Sequence, residues 1–406
     1  MPATLPLELV LDILRSYIQR DFFDEDWSPY HARLAPLCLV CKAFKDVVQP
    51  VLWSYLSPTA FEDPESFFGA KSAVRHLFKH VKGFAADRLY DYIVGRRQTG
   101  FKQAGFLIVQ HALRQVETVR LCKCDASLSS IAGFAALRSL TLEGHEIFNV
   151  QEEVVFPHLH SLSLFDIRAL EDGYISDLLS PSVTPSLRHL FVGDIWMEGA
   201  RSSEAYLPSG DVDLSRVTVV ELRPAEAYAL PYDFWEPAGS FSPDAAVLIS
   251  WDASDDQFFF DEPPHPFPTY FQLVVPPKAI EGQARDTFVK LCRCLGKFFE
   301  PEADCEGFKV AFLPSTLRHP ANVHKRLRQS VKGLFSACLK GGVKVVFFRD
   351  TDETRGTISS AFLKYLEHPS QPDQNPLVVE LQQQRGASRN MLWTALPSHH
   401  WAKKRK

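Results

Sequence analysis

The chain has 406 residues, 46% hydrophobic and 23% charged, a globular balance that excludes wholesale disorder and leaves room for two or three domains of roughly 150 residues each. Its 44 basic and 49 acidic residues give a formal charge of −5, which excludes a strongly basic protein that coats nucleic acid. Eight cysteines are far below a disulfide scaffold, no stretch approaches the roughly 18 apolar residues of a spanning helix, and Glu8 and Asp12 interrupt the opening apolar run as no secretory signal would. The composition predicts an intracellular, soluble, reduced chain.

The first predicted element is an amphipathic helix over residues 5–18. Thr4 is its N-cap, and Pro6 sits in the first turn, where a missing N–H costs nothing. Leu9, Ile13 and Tyr17 recur every four residues with Val10 and Leu14 beside them, a wide apolar stripe. Four acids among two phenylalanines over residues 21–26 read as an exposed loop. A second helix is predicted from about Ala35, with Leu37, Val40, Cys41 and Phe44 on its apolar face. A short third element over residues 50–56 places Val51, Leu52, Trp53 and Leu56 together. Three short helices in under 60 residues make a thin core, to be completed by a partner or by the rest of the chain.

Three signatures stand in order here: Leu5-Pro6-Leu7-Glu8-Leu9, then Leu37-Cys38-Leu39-Val40-Cys41-Lys42-Ala43-Phe44, then Pro50-Val51-Leu52-Trp53. Together they resemble the F-box family, whose pattern opens on Leu-Pro-x-Glu-aliphatic, passes through Val-Cys-Lys/Arg-x-aromatic and closes on Pro-x-Leu-Trp. The acidic, aromatic stretch over residues 21–30 is a longer link between the first two helices than the family usually has.

The middle of the chain repeats L-x-x-L-x-L, the strand core of a leucine-rich repeat. Five matches follow in order: Val116-Val119-Leu121, Leu137-Leu140-Leu142, Leu159-Leu162-Leu164, Leu187-Leu190-Val192 and Val217-Val220-Leu222. Cys124 alone fits the repeat's Asn/Cys position; His145 and Ile167 stand there in the next two. This resembles the divergent leucine-rich repeats found behind many F-boxes. Further strands are predicted over 247–249, 271–275, 310–313 and 343–348. Helices are predicted over 287–299 and 323–339, the latter stopped by Gly341-Gly342. The proline-rich stretch 261–268 reads as a loop and 369–376 as a linker.

Candidate chemistry is sparse. Cys38-x-x-Cys41 has metal-ligand spacing but no second Cys/His pair at zinc-finger distance, so packing is the expected role; Cys122-x-Cys124 and Cys292-x-Cys294 are read the same way. No nucleophile elbow, zinc-protease motif, phosphate loop or dinucleotide fingerprint occurs. Asp252, Asp255 and Asp256 cluster in loop-like sequence, and His399-His400 lies in a tail without a named partner. No catalytic residue, cofactor or metal is expected. The run Lys403-Lys404-Arg405-Lys406 is of the kind that import receptors read, so the expected compartment is cytoplasm, nucleus or both.

The fold expected is α/β: a three-helix F-box over residues 1–56, an irregular leucine-rich-repeat solenoid over 57–368, and a linker with a basic tail over 369–406. The resemblance implies a non-catalytic substrate adaptor of a Skp–cullin–F-box ubiquitin ligase, docked to the Skp adaptor and through it to a cullin. It assigns that contact to Leu5, Pro6, Leu9, Ile13, Val40, Cys41 and Trp53. The repeats would hold an unidentified protein substrate, with Trp196, Tyr232, Phe234, Trp235 and the cluster 258–260 as candidate contacts. The alternative is a leucine-rich-repeat scaffold without a ubiquitin role, its first helices serving as a cap.

Overall fold

A computed structural model describes residues 6–18, 32–56, 64–87, 103–123, 127–147, 154–169, 173–197, 213–223, 241–242, 244–252, 270–274, 289, 292–293, 295–296, 308–317, 327–348 and 358–368. They fall into two compact units. The first comprises residues 1–220, 230–245 and 354–358; the second comprises 221–229, 246–353 and 359–406.

The first unit opens with helix α1 (Leu7–Ile18), a 3-10 helix over Ala35–Leu39 and helix α2 (Lys42–Leu52). The second predicted helix is thus divided at Val40 and Cys41. Cys41 is extended, with φ −163° and ψ 170°, and α2 starts after it. The predicted third helix is corrected outright: Pro50 lies in the last turn of α2, and Tyr55–Leu56 is strand β1. A proline there loses only one bond of a helix about to end, so the helix runs through it.

Parallel strands follow: β2 (Gly83–Asp87), β3 (Thr118–Cys122), β4 (Ser139–Glu143), the short β5 (Glu146–Ile147), β6 (Ser161–Ala169) and β7 (His189–Met197). Helices α3 (Pro64–Phe68), α4 (Gln103–Ala112), α5 (Leu128–Ala132) and α6 (Gly173–Leu179) lie between them in sequence. Strand β8 (Val219–Arg223) crosses the division, with Val219 and Val220 in the first unit.

The register explains the repeat. Leu56, Phe84, Val119, Leu140, Leu162 and Leu190 stand side by side on successive strands, and Ala86, Leu121, Leu142, Leu164 and Val192 form the next such column. All fifteen aliphatics picked out by the L-x-x-L-x-L spacing are at most 3% exposed. The backbone repeats as well. The carbonyls of Ser54, Lys82, Glu117, Arg138, His160 and Arg188 each accept two N–H bonds, at 2.7–3.1 Å, from the start of the next strand. A turn precedes each buried residue: Val81, Val116, Leu137, Leu159, Leu187 and Val217 each donate to the carbonyl three residues back, at 2.8–3.3 Å. The residues so reached, Phe78, Leu113, Phe134, Phe156, Thr184 and Leu214, are themselves buried.

Two details show how tightly the strands meet. A Cβ on Gly83 would lie 3.1 Å from the Tyr55 ring and 3.1 Å from the Thr118 carbonyl, so a larger residue would have to push the strands apart. Lys123 and Gly144, just past β3 and β4, and Asp166, within β6, occupy equivalent positions in the register and all take positive φ, at 50°, 59° and 51°. The same left-handed corner therefore turns the chain in three consecutive repeats, and only one of them uses glycine.

In the second unit, β9 (Ala246–Asp252), β10 (Tyr270–Val274), β11 (Val310–Pro314) and β12 (Lys344–Phe348) pair in parallel. Each falls where sequence placed a strand. Helix α7 (Arg328–Lys340) fills the predicted helix, and Gly342 beyond it is left-handed at φ 74°. Of the predicted helix 287–299, residues 289, 292, 293, 295 and 296 are described, and all are helical. Phe271, Leu273, Ala311 and Leu313 pack with Leu295 and with Val331, Leu334 and Phe335 of α7. Helix α8 (Ser360–Glu367) brings Phe362 within 5.0 Å of the Tyr270 ring and 5.7 Å of the Phe312 ring. Strand β11 is consequently buried along its whole length, as expected of a parallel strand covered on both faces.

Glu221 is fully buried in this unit. It accepts from the Ser250 hydroxyl, from the Ser359 N–H at 2.6 Å and from Arg223 Nη2 at 3.2 Å. A buried carboxylate is tolerated only with such donors. Among the described residues no helix is long and apolar enough to cross a membrane, and no group of three His, Cys, Asp or Glu could hold a metal ion.

Candidate partner-binding surface

The sequence of α1, Leu-Glu-Leu-Val-Leu-Asp-Ile-Leu, carries more apolar residues than one helix face can hold. Leu14 and Ile18, one turn apart, are 6% and 4% exposed; Leu9 and Ile13, also one turn apart, are 51% and 62% exposed. The single stripe read from sequence is therefore two. Leu14 and Ile18 share a core with Leu34, Val48 and Tyr55, against which Leu11, Leu37, Phe44, Val47, Val51, Leu52 and Ala85 also pack. Tyr55 and Ala85 belong to β1 and β2, so the inner face of the helices rests on the first strands. Burial raises the Tyr55 phenol to about 12, with nearby Arg120 pulling the other way.

The outer residues come from two segments seated on that one core. Leu9 and Ile13 lie on one side of α1, with Leu7 exposed at its start; Leu39, 87% exposed, ends the 3-10 helix and Val40 follows it ahead of α2. The polar residues of α1 are ordinary surface: Asp12 and Arg15 form an exposed pair at 2.7 Å, worth little to stability. Covering a half-exposed leucine or isoleucine is worth on the order of 1 kcal/mol. Five such residues are a substantial resource for a partner and are unusual for a surface with nothing to bind.

The residues assigned by sequence are placed as follows. Pro6, Leu9, Ile13, Val40 and Cys41 are exposed, and Trp53 is half-buried. The Trp53 ring stacks on Phe67 at 6.3 Å and approaches Phe78 at 6.5 Å, so part of it serves the chain's own packing. Leu5 lies outside the described residues. Leu7 and Leu39, which the assignment left out, are exposed as well; both stand in the quoted signatures. Cys38 is half-buried, with its thiol raised by burial, while Cys41 is exposed. Metal-ligand spacing has thus put one cysteine toward the interior and the other outside.

Of the candidate substrate contacts, Trp196 falls in β7 with its side chain outside the description, and Tyr232, Phe234, Trp235 and 258–260 lie outside the described residues. So do Asp255, Asp256, Cys124, Cys294, His399, His400 and the basic tail. Asp252 ends β9. Cys292 is buried, its thiol raised to about 12 by burial, and Cys122 is half-buried. The strand face opposite the leucine columns does carry polar chemistry: Arg120 Nη2 meets Glu143 Oε2 at 2.9 Å on neighbouring strands, both largely buried. Compared with known proteins, the chain matches no family model and no curated protein.

Proposed function

We propose that this chain is a substrate-recognition adaptor of a Skp–cullin–F-box ubiquitin ligase, its first helices docking on the Skp adaptor and its repeat strands presenting a surface to a protein substrate. The observation that carries this reading is the outward display of Leu9, Ile13, Leu39 and Val40 on helices whose inner face is already filled by Leu14, Ile18, Leu34 and Val48. Aliphatics left over after a core is complete are what helix-in-groove recognition uses. The in-register strands with buried L-x-x-L-x-L positions support the leucine-rich-repeat part. In this role the chain breaks no bond itself; it raises the effective concentration of a target lysine near the charged conjugating enzyme.

Co-expression with the Skp adaptor tests the proposal. The two should co-purify, and Leu9→Asp with Ile13→Asp should abolish co-purification while the protein stays folded. Co-purification unaffected by both substitutions, or absent in the unsubstituted chain, would count against it.

A second reading has its own observation. Tyr55 and Ala85 lie in the same core as the helices, which is what a cap on a repeat stack requires. A scaffold without a ubiquitin role would need this inner face and nothing on the outer one. Removal of the inner contacts tests the cap; removal of the outer ones tests the adaptor.

A further inference from the structure

A second apolar surface lies on α4. Val109 and Leu113, one turn apart, are wholly buried, while Leu107 on the opposite side is 61% exposed. Leu107 and His111, again one turn apart, form a ridge with a cavity on each side. One of about 410 Å³ reaches α3 and is floored by Phe68, Ala70, Ile108 and Ala112. The other, of about 510 Å³, reaches the turn after α5 and is bordered by Gln110, Gly133 and Ala135. Each is large enough for a leucine side chain.

The surroundings are predominantly basic. Residues 71–80, 103–116 and 127–138 contain no aspartate or glutamate, in a chain whose formal charge is −5. Lys71, Arg75, Lys79, Arg114 and Arg138 come from these stretches and are all exposed. Arg75 borders the first cavity and Arg114 the second; Glu65 is the one described acid beside either.

We propose that this ridge and its two grooves are a docking site for an acidic amphipathic helix of a protein partner. One leucine-type side chain enters each groove astride Leu107, and carboxylates face Arg75 and Arg114. Apolar grooves select a helix with a hydrocarbon face, and the cationic rim selects its charge and speeds encounter. A nucleic acid would satisfy the rim and leave the grooves empty. The site is distinct from the α1 surface and does not depend on the ligase reading.

The test uses the full chain and a labelled synthetic peptide of about 18 residues, long enough to be helical, with one leucine face and one glutamate face. Fluorescence anisotropy should show saturable binding. Leu107→Glu should weaken it at least roughly tenfold, and so should Arg75→Glu with Arg114→Glu, or salt near 1 M, which shortens screening to about 3 Å. A lysine-faced counterpart should not bind. All three positions are exposed, so the variants should melt like the parent. No saturable binding, equal binding by Leu107→Glu, equal binding of the lysine peptide, or preferred binding of duplex DNA would each overturn the proposal.

Discussion

Ile13 and Leu14 are adjacent in α1, about 100° apart around its axis, and meet different surroundings: Leu14 is 6% exposed in the core under the helices, and Ile13 is 62% exposed. Their roles should separate on substitution. Leu14→Ala should cost about 2–4 kcal/mol through the cavity it opens, seen as a lower denaturation midpoint. Ile13→Asp should change stability by less than about 0.5 kcal/mol and should remove partner binding. Equal loss of stability in both would mean that the outer face is structural.

Arg216 staples the repeat before β8. Its guanidinium donates to the carbonyls of Leu179, Thr184 and Asp213 and to the Thr184 hydroxyl. Removing it takes a donor from several acceptors at once, including the carbonyl and hydroxyl of the fully buried Thr184, whose carbonyl keeps only the Leu187 N–H. Arg216→Ala should destabilise the first unit by about 2–4 kcal/mol. Arg216→Lys should recover less than half of this, because a single ammonium cannot span the same acceptors. Thermal melting of both variants is the check; full rescue by lysine would show that only the charge matters.

Glu221 is the corresponding point in the second unit. Glu221→Ala withdraws the acceptor shared by Ser250, Ser359 and Arg223, and about 3–5 kcal/mol should be lost as for a broken buried ion pair. Hydrogen exchange should show faster amides in β9 and at the start of α8, where Ser359 caps the helix. An unchanged exchange pattern would contradict the assigned role.

His189 titrates below the ordinary histidine value of 6.5, because of burial first and neighbouring His160 second. The native state therefore resists a proton that the unfolded chain accepts. The stability this contributes is present above about pH 6.5 and is lost as pH falls from there through the depressed native value. The melting temperature should fall over that window, and His189→Gln should flatten the fall. A melting temperature insensitive to pH in the unsubstituted chain would refute the assignment.

The cysteines give a map of the interior. Cys292 and Cys338 are buried, and burial raises both thiols, Cys292 to about 12. Alkylation at pH 8 followed by peptide mass spectrometry should label exposed Cys41 before these two, which should react only after unfolding. Early labelling of Cys338 would contradict the packing of α7.

Much of the strand framework was legible because its signal is periodic. The five triads from Val116 to Leu222 mark buried, in-register positions. The preceding repeat, Phe78-Val81-Phe84-Ala86, obeys the same geometry but does not read as L-x-x-L-x-L, because phenylalanine and alanine stand where the others have leucine or valine. Helix α4 escaped because its exposed Leu107 blurs the apolar period. Strand β1 does not show in the sequence because Pro50 and Trp53, just before it, suit a helix, and only pairing of Tyr55 with Gly83 across the sheet defines the strand. At the candidate surface, the sequence named most of the exposed aliphatics, yet spacing alone could not say that Leu9 and Leu14 face apart: α1 has one polar face, Glu8, Asp12 and Arg15, and a wide apolar arc, and its neighbours decide which side of that arc is sealed.

The most direct test of the adaptor reading is hydrogen exchange on the chain alone and mixed with the Skp adaptor. The account predicts a stable complex in which protection rises over residues 7–18 and 35–45 and is unchanged over β3 to β7. No complex, or protection that bypasses α1 and the Leu39–Val40 bend, would contradict it.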